Sequence, residues 1–86
     1  MANDVLLISE YDFKKHENSS CSPKGVPFET LDEAERECKE TKQCIGVMDV
    51  DCGVQKEYHL CGKNTTVFSD SKVQSCFHEK YIVGKY

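Results

Sequence analysis

The hydrophobic and polar positions along the chain predict short strands around a single helix. Residues 5–13 begin with apolar and partly β-branched side chains, and they predict a first strand. Residues 14–27 are mostly polar and contain the breakers Pro23, Gly25 and Pro27, so they predict a loop.

The clearest local pattern marks the start of a helix at Thr30. Thr30, followed three residues later by Glu33, has the spacing of a capping box, which satisfies free backbone N–H groups of the first turn. Leu31, Ala34 and Cys38 follow at helical spacing, and most other positions in this segment are charged. We therefore expect an amphipathic helix that packs one narrow apolar stripe against the rest of the protein.

The second half of the chain predicts a hairpin and a last strand. Residues 45–50 are mostly apolar and end at a turn pattern, and residues 57–61 alternate as a return strand would. Residues 67–68 predict a short edge strand within a polar loop, and residues 76–83 predict the last strand. The order strand, helix, hairpin, strand predicts an α+β fold, with one α-helix packed on a small antiparallel β-sheet.

The composition adds that this is one small domain, expected to span residues 1–86, that relies on disulfides. A chain of 86 residues buries a modest core, and six cysteines in that length are typical of a disulfide-stapled extracellular protein. The net charge of −4, with scattered basic residues, argues against nucleic acid as a partner. No apolar stretch predicts membrane insertion or a signal peptide, so we expect a secreted form to be part of a larger protein.

A metal site at the cysteines is poorly supported by their spacing. Structural zinc sites use close pairs of Cys or His. Only two such pairs would share a strand face here, His59 with Cys61 and Cys76 with His78, and half-exposed strand histidines explain them better than zinc does. We predict no metal and no cofactor.

Catalysis is not indicated either. No cysteine stands out as a nucleophile, and no serine lies in a nucleophile-elbow sequence. Asp49, Asp51 and Glu57 are the only clustered carboxylates near the turn, which is too few oxygens for calcium, and solvated turn carboxylates account for them. We therefore predict that the protein is not an enzyme.

Two glycosylation sequons lie in polar stretches. They are Asn18-Ser19-Ser20 and Asn64-Thr65-Thr66. Such tripeptides also arise by chance, but two in expected surface loops favour Asn18 and Asn64 as glycan acceptors of a secreted or cell-surface protein.

The cysteine-bearing half of the chain resembles the PAN/apple module. Residues 30–47, TLDEAERECKETKQCIGV, match the helix whose cysteine begins a C-x5-C pattern and leads into a strand. Residues 58–63, YHLCGK, and the outer cysteines Cys21 and Cys76 also match, so the resemblance covers residues 21–80. It is nearest to the short PAN-like modules of invertebrate extracellular proteins. The chain departs from apple domains at Ala34, where those domains usually carry a further helical cysteine.

The resemblance implies a disulfide pairing. The implied bonds are Cys21–Cys76, Cys38–Cys44 and, as the remaining pair, Cys52–Cys61. The alternative is a nested pairing that contains Cys38–Cys61 and Cys44–Cys52. An extended strand would hold Cys44 and Cys52 more than about 20 Å apart, although a bend near Gly46 would restore the nested pairing.

The resemblance also implies a non-catalytic binding or adhesion module with a protein or glycan ligand, within a larger secreted or cell-surface protein. A carbohydrate-binding lectin module and a small secreted toxin or protease inhibitor are alternatives. Binding residues on such a scaffold are expected on loops or on an exposed sheet face. The candidates are Tyr58, His59, Phe68, Phe77, His78 and Tyr81. Core packing is the competing interpretation of Tyr58 and Phe77.

Overall fold

The computed structural model of the protein describes residues 9–85, which form one α-helix, seven β-strands and a short 3₁₀ turn. In chain order these are β1 (Ser9–His16), β2 (Ser19–Ser22), β3 (Pro27–Phe28), α1 (Leu31–Glu40), β4 (Cys44–Asp49), the 3₁₀ turn (Val50–Gly53), β5 (Tyr58–Gly62), β6 (Thr66–Ser69) and β7 (Cys76–Lys85). Within this part of the chain, no helix has the length and apolar character needed to cross a membrane.

The strands form two antiparallel sheets. Five of them lie in the order β1-β7-β4-β5-β3, and β2 pairs with β6 in a separate two-stranded sheet, called the ribbon below. The prediction of an α+β fold, with one helix packed on an antiparallel sheet, is confirmed. The ribbon as a second sheet was not predicted.

The helix and the ribbon cover opposite faces of the five-stranded sheet, so the protein has three layers. On the helix side, Ala34 and Cys38 pack with Val47 of β4. On the ribbon side, Cys21 of β2 packs with Met48 of β4 and with residues of the neighbouring strands. Successive residues of a strand point to opposite faces, which is why Val47 and Met48 enter different layers of the core.

Hydrogen bonds with side chains stabilise both ends of the helix. The backbone N–H of Glu33 donates to Oγ1 of Thr30 (3.2 Å), and this hydroxyl donates to the Glu33 carboxylate (3.0 Å), so the predicted N-terminal cap is confirmed. At the other end, the Nζ of Lys80 donates to the carbonyl oxygens of Cys38 (2.7 Å) and Thr41 (3.2 Å). A cation at this position stabilises the carbonyl groups that have no partner within the helix.

Two predictions about the first third of the chain need correction. The first strand continues to His16 instead of ending at residue 13, and its predicted residues 5–8 lie outside the described part of the chain. The predicted loop of residues 14–27 is also wrong, because it contains β2. The sequence of β2 is polar, Ser-Ser-Cys-Ser, and this strand exists because β6 pairs with it from far along the chain.

The later strands agree with the sequence pattern. The hairpin of β4 and β5 is confirmed, as is the last strand, β7. The short strand predicted at residues 67–68 is present as β6, although it belongs to the ribbon.

All six cysteines form disulfides, and one of the three implied bonds is confirmed. Cys38 at the end of the helix is bonded to Cys44 at the start of β4, with their Cα atoms 5.2 Å apart. This bond also excludes the nested pairing.

The other two implied bonds, Cys21–Cys76 and Cys52–Cys61, are wrong. Cys21 is instead bonded to Cys61, and Cys52 is bonded to Cys76. The reason for the second bond lies in the turn after β4. Residues 51 to 53 all have positive φ angles, of 55°, 50° and 97°, and the antiparallel pairing of β4 with β7 brings the start of β7 beside this turn.

Candidate functional site

A cleft opens between the ribbon and the five-stranded sheet, and it is the best candidate for a functional site in the described part of the chain. Its volume is about 500 Å³. Five strands of the sheet and ribbon supply its walls, namely β1, β2, β4, β6 and β7. The lining residues are His16, Ser19, Ile45, Val67, Ser69, Phe77, Glu79 and Lys80.

The floor of the cleft is apolar. Ile45 and Phe77 lie on the sheet, and Val67 faces them from the ribbon. The position of Phe77 depends on Gly46, because a Cβ atom at Gly46 would lie 2.5 Å from two ring carbons of Phe77. Glycine thus allows the aromatic ring to lie directly against β4.

A histidine–carboxylate pair forms the polar rim. The Nε2 of His16 lies 2.8 Å from Oε1 of Glu79, and both side chains are partly exposed, at 39% and 50%. The imidazole also stacks on Phe77, with the ring centroids 6.4 Å apart. The β1–β7 register produces this arrangement, since it places His16 opposite Phe77 and two residues from Glu79.

Two serine hydroxyls complete the wall next to the ribbon. Ser19 is buried, and its hydroxyl donates to the carbonyl oxygen of Glu17 (3.0 Å). The hydroxyl oxygens of Ser19 and Ser69 are 2.8 Å apart. Because the only hydroxyl hydrogen of Ser19 is donated to Glu17, Ser69 is the donor of this bond, and the hydroxyl oxygen of Ser69 can still accept a hydrogen bond from a ligand.

Two other buried polar side chains, those of His78 and Asp49, lie on the helix side and have a structural role. The Nε2 of His78 lies 3.3 Å from Oδ2 of Asp49, and both side chains are buried. Oδ1 of Asp49 has no hydrogen-bond partner within the described structure. Nearby on the helix, burial raises the pKa of Glu35, and the charge of His78 acts in the opposite direction.

His59 holds two loops together and is also buried. Its Nδ1 lies 2.8 Å from the carbonyl oxygen of Gly25, and its Nε2 lies 2.7 Å from Oε2 of Glu57. Both neighbours are hydrogen-bond acceptors, so a ring nitrogen of His59 that carries a hydrogen can donate to the acceptor beside it. The hydrogen bond from His59 lowers the pKa of Glu57.

The structure does not bring the six predicted binding residues into one surface. His59 and His78 are buried, so the prediction that these two histidines are half-exposed needs correction, and Phe77 is buried as well. Among them, only Phe77 reaches the cleft. Tyr58 is half-buried and packs against the helix-side core, which agrees with its competing interpretation as a core residue.

The two remaining candidates are exposed on different sheets. Phe68 is on β6 of the ribbon, and Tyr81 is on the end of β7 that extends past β4. Neither of them lines the cleft.

Most residues of the cleft could not be found from the sequence. His16 and Glu79 are 63 residues apart, Ser19 and Ser69 are 50 residues apart, and no motif connects the members of either pair. The sequence pattern predicts a strand only at Glu79 and predicts loops at the other three positions.

The groups considered for metal binding are engaged elsewhere. Cys61 and Cys76 are in disulfides, so they cannot serve as thiolate ligands beside His59 and His78. In residues 9–85, no group of three or more His, Cys, Asp or Glu side chains is arranged to hold a metal ion. The carboxylate of Asp51 accepts a hydrogen bond from Gln55 (2.7 Å).

The fold and its cysteines define a small, disulfide-rich α+β domain. Comparisons with protein-family models, with curated proteins and with solved structures found no match to the chain.

Proposed function

We propose that this protein is a non-catalytic extracellular binding module of the PAN/apple type, within a larger secreted or cell-surface protein. Three disulfides in a domain of this size support an oxidising compartment, where such bonds form and persist. The helix on an antiparallel sheet and the bond Cys38–Cys44 are consistent with the PAN/apple resemblance. The bonds Cys21–Cys61 and Cys52–Cys76 differ from the pairing that the resemblance implies, so the proposal depends chiefly on the cleft.

The observation that carries the proposal is the cleft between the ribbon and the sheet. Ligand sites are concave, have volumes of roughly 300–1,000 Å³ and combine an apolar lining with a few convergent polar groups. This cleft has a volume of about 500 Å³, a floor that contains Phe77, and His16, Glu79 and Ser69 at its edges. Binding is favoured over thiol chemistry because every cysteine is held in a disulfide.

The cleft also supports the lectin alternative. A sugar ring has apolar C–H faces and hydroxyl groups that both donate and accept. The apolar floor matches the first property, and Ser69, His16 and Glu79 offer acceptors and donors for the second. A glycan ligand is therefore the second candidate, after a protein ligand.

A binding screen with a blocked cleft tests the proposal. The oxidised protein is screened against a glycan array and a displayed library of extended peptides. The variant V67W fills the cleft from the ribbon side. T66W is the matched control, because Thr66 is exposed on the same strand and does not line the cleft.

We expect the screen to find ligands that bind the original protein and T66W but do not bind V67W. The proposal fails if neither library contains a ligand, or if every ligand binds V67W as well as it binds the original protein. Circular dichroism of both variants shows whether each keeps its fold.

A further inference from the structure

The outer strand of the ribbon, β6, has an open edge, and two of its residues line the cleft. All four of its residues are exposed, and within the described chain its only strand partner is β2. The opposite side of β2 is occupied, because its residues pack on the sheet and the N–H of Ser19 donates to the carbonyl oxygen of Ser75 (3.0 Å). Every second residue of β6 therefore directs its backbone N–H and C=O groups to solvent.

Within residues 9–85, three other free strand edges carry features that oppose pairing, but the edge of β6 does not. Strand β1 carries charged residues along its length, including Lys14 and Lys15. Strand β3 is two residues long and starts with Pro27, which has no N–H to donate. The free end of β7 contains an irregularity in its pairing with β1, next to Ile82. Charges, proline and bulges are the usual means by which proteins prevent an edge strand from pairing.

The sequence of β6, Thr-Val-Phe-Ser, contains none of these features. It is uncharged, and two of its residues are β-branched, which favours strand pairing. Val67 and Ser69 of this strand point into the cleft. A strand added beside β6 would direct alternate side chains toward the same side.

We propose that β6 is a site of β-strand addition, where an extended peptide pairs with its open edge and places a basic side chain in the cleft. The proposal rests on the proposed function and names the partner: an extended segment of another protein that contains lysine or arginine. Main-chain hydrogen bonds to β6 supply affinity in this mode of recognition, and the cleft selects the side chain.

The chemistry of the cleft favours a basic side chain. The stem of a lysine or arginine can lie along Ile45, Val67 and Phe77, while its charged end reaches the carboxylate of Glu79. Glu79 is half exposed, and its contact with His16 uses one carboxylate oxygen. The amine of Lys80 does not compete, because it is bound to the carbonyl groups at the end of the helix. The net charge of −4 also favours a basic partner.

Binding of a designed peptide tests this proposal. The probe is a capped peptide of alternating threonine and valine with one central lysine, and the same peptide with a central glutamate is its charge control. Two further versions carry backbone N-methyl groups on alternate residues, one version on the odd-numbered residues and the other on the even-numbered residues. Because alternate N–H groups of a paired strand point to the same side, only one of the two versions lacks the N–H groups that face β6.

We expect the lysine peptide to bind, and the glutamate peptide and one N-methylated version to lose binding. In the protein, E79Q should weaken binding about fivefold, the loss expected for a partly exposed charge pair. E37Q is the matched control, since Glu37 is exposed on the helix, away from the cleft.

The possible failures are distinguishable. Binding of glycans that V67W abolishes, with no binding of either peptide, would overturn strand addition and leave the proposed function standing. Binding of neither ligand class would overturn both. Peptide binding that is equally strong for both N-methylated versions would overturn the pairing with β6, and equal binding by E79Q would overturn the role of the cleft carboxylate.

Discussion

Cys21 of the ribbon is bonded to Cys61 of the central sheet, with their Cα atoms 6.2 Å apart. Both cysteines are buried beside Met48 and Phe77. The bond therefore fixes the ribbon over the sheet, and the cleft is the space left between the two layers next to this contact. The resemblance implied Cys76 as the partner of Cys21, and the bond to Cys61 that forms instead determines the geometry of the candidate binding site.

Removal of this disulfide should cost more stability than removal of the bond at the end of the helix. Cys21 and Cys61 are 40 residues apart, and Cys38 and Cys44 are 6 apart. In the chain-entropy model, these loops correspond to about 4 and about 2 kcal/mol. Denaturant unfolding of the double variants C21A/C61A and C38A/C44A measures the difference. Equal losses, or a larger loss for the shorter loop, would contradict this ranking.

Replacement of Gly46 by alanine should destabilise the protein and distort the floor of the cleft. The added Cβ would lie 2.5 Å from ring carbons of Phe77 and 2.6 Å from the carbonyl oxygen of His78, so backbone must move. We expect a loss of about 2–3 kcal/mol, typical of overpacking in a core. The control is G62A, where the nearest atom is 3.5 Å away, an ordinary contact. Thermal or denaturant unfolding compares the two variants, and a neutral G46A would show that Phe77 can move away at little cost.

Neutralisation of Glu35 should stabilise the protein at neutral pH and have no effect in acid. Burial raises the pKa of Glu35 above its ordinary value of 4.5. Because burial disfavours the ionised carboxylate, the folded protein is stabilised by the protonated form of Glu35. This stabilisation is complete below the ordinary pKa, and it is lost as the pH rises through the raised pKa of the folded state. E35Q keeps the neutral form at all pH values, so its melting temperature should exceed that of the original protein by about 2 °C at neutral pH.

Melting curves at neutral pH and at a pH below 4.5 test this prediction for Glu35. E37Q, on an exposed position of the same helix, controls for the loss of one negative charge. An increase in melting temperature that is equal at both pH values would mean that burial of the Glu35 charge is not its cause.

The two sequon asparagines should differ in their importance for the fold. Asn18 has a positive φ of 54°, a conformation that asparagine tolerates better than most residues, and its Nδ2 donates to the carbonyl oxygen of Val73 (2.8 Å). Asn64 is exposed in the turn between β5 and β6. Unfolding of the unglycosylated variants should show a loss of about 1 kcal/mol for N18Q and almost none for N64Q. Equal effects would contradict a structural role of Asn18.

The sequence by itself determined the elements whose signals are local. The helix start at Thr30 was predictable because its cap involves a residue only three positions away. The bond between Cys38 and Cys44, which the resemblance implied, also connects neighbouring elements. The β4–β5 hairpin was predictable for the same reason. In each case the interacting groups are close along the chain, so few arrangements are available to them.

Only the tertiary structure decided the layers, the two long-range disulfides and the cleft. Strand β2 has a polar sequence and forms because β6 pairs with it, and this ribbon places Cys21 over Cys61. The pair of His16 and Glu79 exists because the first and last strands of the described chain are neighbours in the sheet. Such pairings depend on how whole strands pack together around a shared core. The spacing of residues along the chain does not predict which of the possible strand pairings forms.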